Sequence, residues 1–256
     1  MTIEEFLTEW NNADPRVLVH TSGSTGKPKP LWVEKSRMLN SARITCDFLR
    51  LKAGDTALLC MPLDYIAGKM VVVRSIERNL RLINVKPSGH PLSDDSLRQA
   101  NALQEEITFA AMVPLQVYNS LQVPQERERL RKIRQLIIGG GAIDDHLAEA
   151  LKDYPHAVWS TYGMTETLSH IALRRLNGDS ASDWYEPFDS VEVNLNTDGC
   201  LIINAPAVCS KPLVTNDRAE LQTISLSNDK HKQVCFRILG RRDNVIDSGG
   251  IKIQIE

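Results

Sequence analysis

The sequence lacks the features that would indicate a membrane or a nucleic acid as its partner. No apolar run approaches the roughly 20 residues of a membrane helix, and the N-terminus lacks the basic and apolar regions of a signal peptide. Neither sign of charge dominates, because 30 lysines and arginines stand against 32 acidic residues, with a formal net charge of −2. The basic residues are scattered rather than clustered. We expect a soluble, cytoplasmic protein that binds small molecules, spans no membrane and binds no nucleic acid.

Cysteine is also sparse, and several catalytic motifs are missing. The five cysteines are odd in number, include no Cys-x-x-Cys pair and mostly fall within apolar segments. Buried free thiols are therefore favoured over a zinc or redox site. The sequence has no Gly-x-Ser-x-Gly elbow and no His-Glu-x-x-His motif, and its six histidines are dispersed. A serine hydrolase or a metalloprotease thus lacks support.

Helical and strand-like patterns alternate over the first two thirds of the chain. The predicted helices are 34–51, 65–79, 93–106 with Ser93 as its cap, 115–121, 125–132 and 144–151. The predicted strands are 17–19, 57–61, 81–85, 108–113, 136–138 and 158–161. This order is typical of a parallel α/β sheet, and short apolar segments after Ser169 predict a mainly β part. The expected fold class is α/β, with parallel sheet layers followed by an antiparallel or barrel-like C-terminal part.

A nine-residue loop at 21–29 carries groups that bind phosphate. It combines four hydroxyl side chains, two glycines and two lysines, which supply donors, backbone freedom and positive charge. It follows the apolar residues 17–19, so we expect it to leave a strand end of the α/β sheet. It is not a standard P-loop, because Gly23 and Gly26 are too close and Pro28 occupies the hydroxyl position.

Two later strand ends, at 139–141 and 162–166, also finish in glycine or small polar residues. In a parallel sheet such ends lie along one edge and can line a single cleft. The second end supplies an aromatic ring for a base, a hydroxyl donor and the carboxylate of Glu166, which suits Mg²⁺. Taken alone, Glu166 would more often be a surface carboxylate or one at a helix start.

Three ordered segments, 21–29, 162–166 and 240–253, resemble the motifs of the adenylate-forming superfamily. This superfamily contains acyl-CoA synthetases, peptide-synthetase adenylation domains and firefly luciferase. The resemblance implies ATP, Mg²⁺ and coenzyme A as partners, together with a small-molecule carboxylic acid. The acid would attack the α-phosphate of ATP to give an acyl-adenylate and pyrophosphate, and a thiol would then take the acyl group. Such chemistry depends on positioning and on charge neutralisation and needs no protein nucleophile.

The resemblance also implies a role for each matched position. The β- and γ-phosphates would be held by Thr21, Ser22, Gly23, Ser24, Thr25, Gly26, Lys27 and Lys29. The adenosine would be bound by Gly139, Gly140, Gly141, Tyr162 and Gly163, with Asp217 and Arg241 on the ribose. Thr165 would contact the α-phosphate, Glu166 would hold magnesium, and Lys29 would join them in catalysis. Asp243 would be a hinge, and Gly249 and Gly250 would border the coenzyme A channel.

Two departures from the family pattern stand out. Thr215-Asn216-Asp217 replaces the usual Thr-Gly-Asp, and the chain stops at Glu256, just past the hinge motif. We therefore expect residues 1–239 to form the large AMP-binding domain, shortened at its N-terminal side, and 240–256 to be the hinge. The family's C-terminal domain, with the lysine that bridges the acyl carboxylate and the α-phosphate, is expected to be missing. A nucleotide-binding module with little turnover is thus one alternative.

The segment 61–70 occupies the place of a family motif that shapes the acyl pocket. Tyr65 is the candidate pocket residue, and Lys69, one helical turn later, is a candidate ligand for a second carboxylate. The alternative for Lys69 is a solvated lysine. This segment most resembles the o-succinylbenzoate CoA ligases of menaquinone synthesis, whose acid carries two carboxylates. An adenylation domain that loads a carrier protein is the alternative enzyme, and a homo-oligomer is left open.

Overall fold

The computed structural model describes residues 1–20, 30–99, 106–225, 232–243, 245–248 and 251–254. The helices are α1 (Ile3–Asn11), α2 (Lys35–Phe48), α3 (Ile66–Arg78), α4 (Ser96–Gln99), α5 (Pro114–Gln122), α6 (Pro124–Arg131) and α7 (Asp145–Leu151). The first strands are β1 (Arg16–His20), β2 (Pro30–Glu34), β3 (Thr56–Leu59), β4 (Arg81–Asn84), β5 (Phe109–Met112), β6 (Gln135–Ile138), β7 (Ala157–Gly163), β8 (His170–Arg175) and β9 (Glu186–Pro187). The later strands are β10 (Glu192–Leu195), β11 (Cys200–Asn204), β12 (Leu213–Ser225), β13 (Lys232–Arg241), β14 (Val245–Ser248) and β15 (Ile251–Gln254).

The centre of the fold is a seven-stranded sheet in the order β4-β3-β5-β6-β7-β8-β9. The first five strands run parallel, as predicted, and β3 and β5 are buried at every position. Strands buried on both faces read as continuous apolar runs, which is why the sequence revealed them. Strand β8 returns antiparallel to β7, because the connection through the short turn Thr165–Thr167 is too brief for a crossover.

The predicted buried strand at 17–19 exists as β1, in which Val17 and Val19 are fully buried. It pairs antiparallel with β2 and forms a separate two-stranded sheet. The expectation that the loop at 21–29 leaves a strand of the α/β sheet is therefore wrong. The loop itself lies outside the described residues.

The N-terminal boundary of the helix predicted at 93–106 is wrong. Pro91–Ser93 forms a single 3₁₀ turn, and the described part of the helix is Ser96–Gln99. The side chain that contacts the start of this helix is that of Asp94, whose Oδ1 accepts from the Ser96 amide at 2.9 Å. Ser93 instead donates to the buried carboxylate of Glu126 at 2.6 Å. His90 and Ser120 also contact the Glu126 carboxylate. On α6, Arg127, Glu128 and Arg131 are exposed, whereas Glu126 is buried and Arg129 is half-buried.

The C-terminal part is an antiparallel sheet in the order β10-β11-β12-β13. Strand β12 is absent from the predicted strands because its buried positions alternate with exposed ones but include the polar Thr215 and Asp217. All five cysteines are free and buried, as predicted. Within the described part of the chain, no helix has the length and apolar character that crossing a bilayer requires.

Candidate functional site

Strands β6 and β7 lie side by side, and their carboxyl ends carry two of the motifs. The glycines at 139–141 follow β6, and Gly139 is so close to β7 that an added Cβ would collide with the hydroxyl of Thr161. Gly140 has a φ of +76°, a conformation that favours glycine. The predicted adjacency of these two ends is confirmed. Glycine at 139 thus lets the ends of β6 and β7 lie side by side.

The phenol of Tyr162 connects β7 to the antiparallel sheet. Its hydroxyl donates to Asp217 Oδ2 at 2.6 Å, and Arg241 Nη1 donates to Asp217 Oδ1 at 3.1 Å. Asp217 and Arg241 are direct partners across β12 and β13, which explains how two residues 24 positions apart meet. Each carboxylate oxygen can accept more than one hydrogen bond, so Asp217 retains acceptor capacity for a ligand hydroxyl.

Burial controls the protonation of Tyr162. Its ring lies 5.0 Å from the ring of Phe236 in an edge-on arrangement and 5.9 Å from that of Tyr185. Burial, and then the negative charge of Asp217, raises the pKa of the Tyr162 phenol well above its ordinary value. The phenol therefore stays protonated at neutral pH and remains a hydrogen-bond donor to Asp217.

Asp243, the predicted hinge residue, directly contacts this cluster. The guanidinium of Arg241 donates to both oxygens of Asp243 at 2.8 Å, in a bidentate arrangement. The hydrogen bond to Asp243 is the main reason why the pKa of Arg241 is raised. Asn216, where the family usually has glycine, donates its side-chain amide to Asp243 at 3.1 Å. The structure thus brings four predicted residues together: Tyr162, Asp217, Arg241 and Asp243.

Thr165 and Glu166 occupy the 3₁₀ turn that follows β7. Thr165 is buried and Glu166 is exposed, and the thiol of Cys209 donates to the Glu166 carbonyl at 3.1 Å. Among the described residues, no cluster of three metal-ligating side chains exists. A lone exposed carboxylate nevertheless fits Mg²⁺ bound to a nucleotide, because Mg²⁺ then takes most of its ligands from phosphates and water.

The structure separates the two residues predicted for the acid pocket. Tyr65 precedes α3 and is 53% exposed, whereas Lys69 is only 2% exposed, so the alternative of a solvated lysine is wrong. The Lys69 amine lies 3.7 Å from Glu9 and 4.8 Å from the ring centre of Phe6, both on α1. Burial lowers its pKa. The amine thus faces the N-terminal helix, and its role as a substrate ligand stays a prediction.

Sequence reasoning missed a second cation on α3, Arg74. Its Nη2 donates to Ser169 at 2.5 Å and to Thr45 at 3.5 Å, and Thr45 also contacts His170 Nε2 at 3.1 Å. Ser169 follows Glu166 by three residues, so Arg74 lies directly behind the second motif. The sequence did offer a sign of this buried cation, because Arg74 directly follows the apolar run 70–73.

Among the described residues, Arg74 is a buried positive charge without a matching negative one. It is 2% exposed, its Nε has no hydrogen-bond partner, and no carboxylate among the described residues lies within ion-pair distance. Burial lowers the pKa of Arg74 to about 10, which still leaves it protonated at neutral pH. A buried, unpaired cation is costly, and an anionic ligand would offset that cost.

The remaining predicted residues cannot be placed. The phosphate loop, 21–29, and the glycines at 249–250 lie outside the described residues.

A comparison of the sequence with known protein families agrees with this arrangement of residues. The profile of the AMP-binding enzyme family matches residues 4–197. The chain belongs to this family. The predicted superfamily and fold class are thereby confirmed. The AMP-binding match ends before Asp217 and Arg241, so those two assignments depend on the geometry above.

The chain is similar to curated AMP-binding relatives named 2-succinylbenzoate–CoA ligase. It is 26% identical over 265 residues to that of Haemophilus influenzae, covering 99% of this chain and 54% of the ligase. It is 28% identical over 264 residues to the ligase of Bacillus cereus, covering 96% of this chain and 53% of that ligase. The chain thus spans about half the length of these relatives.

Two solved structures of AMP-binding relatives are also similar to it. An acyl-CoA synthetase (AMP-forming)/AMP-acid ligase II-like protein from Dyadobacter fermentans is 34% identical, with a TM-score of 0.78 over 98% of this chain and 67% of that one. The o-succinylbenzoate coenzyme A synthetase of Bacillus subtilis, in complex with ATP and magnesium ion, is 23% identical. Its TM-score is 0.67, over 92% of this chain and 52% of that one, and this likeness supports the fold alone.

Proposed function

We propose that this chain is the nucleotide- and acid-binding part of an ATP-dependent acid–CoA ligase. The carboxylate of the acid would attack the α-phosphate of ATP, pyrophosphate would leave, and the thiol of coenzyme A would displace AMP from the acyl-adenylate. The observation that carries the nucleotide half is the contact of Tyr162 and Arg241 with the two oxygens of Asp217. These residues would offer an aromatic ring for a base and a carboxylate for the ribose hydroxyls.

Within that proposal each described residue has a positioning or binding task. Gly139 to Gly141 and Gly163 allow the backbone to approach the adenosine, Thr165 would donate to the α-phosphate, and Glu166 would hold Mg²⁺. The ion, when bound, would neutralise charge on the phosphates. The loop 21–29 would hold the leaving pyrophosphate. We also assign 1–239 to the large domain and 240–256, with Asp243, to the hinge.

For the acid we propose o-succinylbenzoate, and we place its second carboxylate at Arg74. The buried, unpaired guanidinium beside Ser169 supports this choice, because a planar fork of donors suits a carboxylate. The names of the curated relatives support it independently. Tyr65 remains the proposed pocket residue at the start of α3. The buried free cysteines support action in the reducing cytoplasm.

The test is titration calorimetry of the 256-residue chain with Mg-ATP, followed by an acid series in its presence. We expect o-succinylbenzoate to bind at least tenfold more tightly than the analogue whose aromatic carboxylate is a methyl ester. Equal affinity for the acid and its ester would refute the substrate assignment. The absence of ATP binding would refute the nucleotide assignment.

A second assay separates the ligase from the alternative functions. ATP–pyrophosphate exchange with the same acids measures adenylation, and free coenzyme A and a holo-carrier protein are then compared as acceptors. Transfer to coenzyme A supports the ligase, and a preference for the carrier supports the carrier-loading alternative. Tight ATP binding with negligible exchange would support a binding module with little turnover.

A further inference from the structure

The side chain of Asn216 makes a contact that glycine could not make. Its Nδ2 donates to Asp243 Oδ2 at 3.1 Å, while its backbone carbonyl accepts from the Arg242 amide at 2.8 Å. Asn216 lies in β12, and Asp243 follows the end of β13. The side-chain hydrogen bond therefore adds to the backbone pairing a further contact between β12 and the residues that follow β13.

Asp243 is the second member of a continuous series of polar contacts that runs from Asn216 through Arg241 to Asp217. Arg241 Nε and Nη2 each donate to one oxygen of Asp243 at 2.8 Å, and Arg241 Nη1 donates to Asp217 at 3.1 Å. The guanidinium is planar and rigid, so its orientation at one carboxylate determines its orientation at the other. A rotation of the Asp243 carboxylate would thus be transmitted to Asp217.

We propose that Asn216 is a positioning residue for the nucleotide site. Its amide fixes the carboxylate of Asp243, which holds Arg241 in the orientation that reaches Asp217. The inference rests on the proposed function, in which Asp217 and Arg241 bind the ribose hydroxyls. Asn216 itself would not touch the nucleotide. Its effect should therefore depend on those hydroxyls, which a general effect on folding would not.

The test compares AMP with 2′,3′-dideoxy-AMP, which lacks both ribose hydroxyls, by calorimetry on the 256-residue chain. We expect Asn216→Ala to weaken AMP binding roughly three- to tenfold, the usual effect of one lost hydrogen bond, and to leave dideoxy-AMP binding unchanged. Asn216→Asp should weaken AMP binding further, because it places a second carboxylate next to Asp243. Adding Asp243→Asn to that variant should not recover the loss, because an amide at 243 cannot accept from both guanidinium nitrogens of Arg241.

Asp198→Asn is the matched control. It removes the exposed ion pair that Asp198 makes at 2.7 Å with Arg242, the residue next to Asp243. It leaves the contacts from Asn216 to Asp217 intact. We expect wild-type affinity for both nucleotides. Unchanged AMP affinity in Asn216→Ala, or an equal loss for both nucleotides, would overturn the inference while the proposed function stands. If the unmodified chain binds neither nucleotide, the proposed function fails and this inference fails with it.

Discussion

The hydroxyl of Tyr162 lies 2.6 Å from a carboxylate oxygen of Asp217, and this single contact joins the end of β7 to β12 in the other sheet. Tyr162 belongs to the central sheet and Asp217 to the antiparallel one. Because burial raises the pKa of the phenol, the donor is permanent at neutral pH. The candidate nucleotide site is thus built at the junction of the two sheets.

We expect Tyr162→Phe to lower both stability and nucleotide affinity. The substitution keeps the ring packing but removes a donor to a buried charged acceptor, a loss of about 1.5–3 kcal/mol in the free energy of unfolding. AMP affinity should fall several-fold, because Asp217 loses its fixed orientation. Urea unfolding and calorimetry measure the two effects. Tyr185→Phe, which loses a 2.8 Å contact with Ser160, should lower stability alone; a matching loss of AMP affinity there would contradict the assignment.

Arg74→Met should separate binding from stability. Loss of a charge-assisted contact should weaken o-succinylbenzoate binding at least tenfold, measured by calorimetry with ATP present. The free energy of unfolding should be unchanged or raised, since a buried unpaired cation is replaced by an apolar side chain.

Two other substitutions on α3 determine which cation binds the acid. Arg78→Met removes the ion pair with Asp47 and should not change acid affinity. Lys69→Met tests the competing assignment, because Lys69 is also buried but faces Glu9. If acid affinity falls in Lys69→Met and not in Arg74→Met, Lys69 is the ligand and our placement of the second carboxylate is wrong.

His170 should make the fold sensitive to mild acid. Burial, and then the charge of Arg74, holds the pKa of His170 well below 6.5, so the folded state keeps this side chain neutral. The unfolded chain binds a proton below about pH 6.5, so it holds more protons than the folded state and stability falls as the pH drops. The free energy of unfolding should fall by up to about 1.4 kcal/mol for each pH unit below that point.

Urea unfolding between pH 7.5 and pH 5 measures this dependence. In His170→Asn, the part of the pH dependence that comes from His170 should vanish. The exposed control His146→Asn should keep the wild-type dependence of the free energy of unfolding on pH. Equal slopes in the wild type and His170→Asn would show that His170 is not the group responsible.

Two glycine substitutions at the sheet edge should differ in severity. A Cβ at Gly163 would collide with the backbone of Ser169 and His170, which cannot move without shifting β8, so Gly163→Ala should cost about 3 kcal/mol or prevent folding. A Cβ at Gly139 meets only the rotatable side chain of Thr161. Gly139→Ala should therefore cost less, and Thr161→Ala in the same chain should relieve it. Thermal unfolding provides the comparison, and equal costs would contradict this view of the two contacts.

Much of the fold was predictable because the information is local. The parallel strands are continuous apolar runs, and Asp144 caps α7 through a side chain three residues from its partner, Leu147. Helix α1 was overlooked, although Thr2 and Glu5 form a capping box and apolar residues recur at helical spacing. Strand β12 was missed because Thr215 and Asp217 are buried polar residues whose partners lie on other strands.

By itself, the sequence determined the family and the parallel α/β character of the main sheet, since these depend on residue type and short-range spacing. Only the tertiary structure decided which cations face which partners. Lys69 and Arg74 lie on the same helix, and the packing of α1 turns Lys69 toward Glu9, while Ser169 and Thr45 receive Arg74. Such choices depend on contacts between residues far apart in the chain, and no local pattern encodes them.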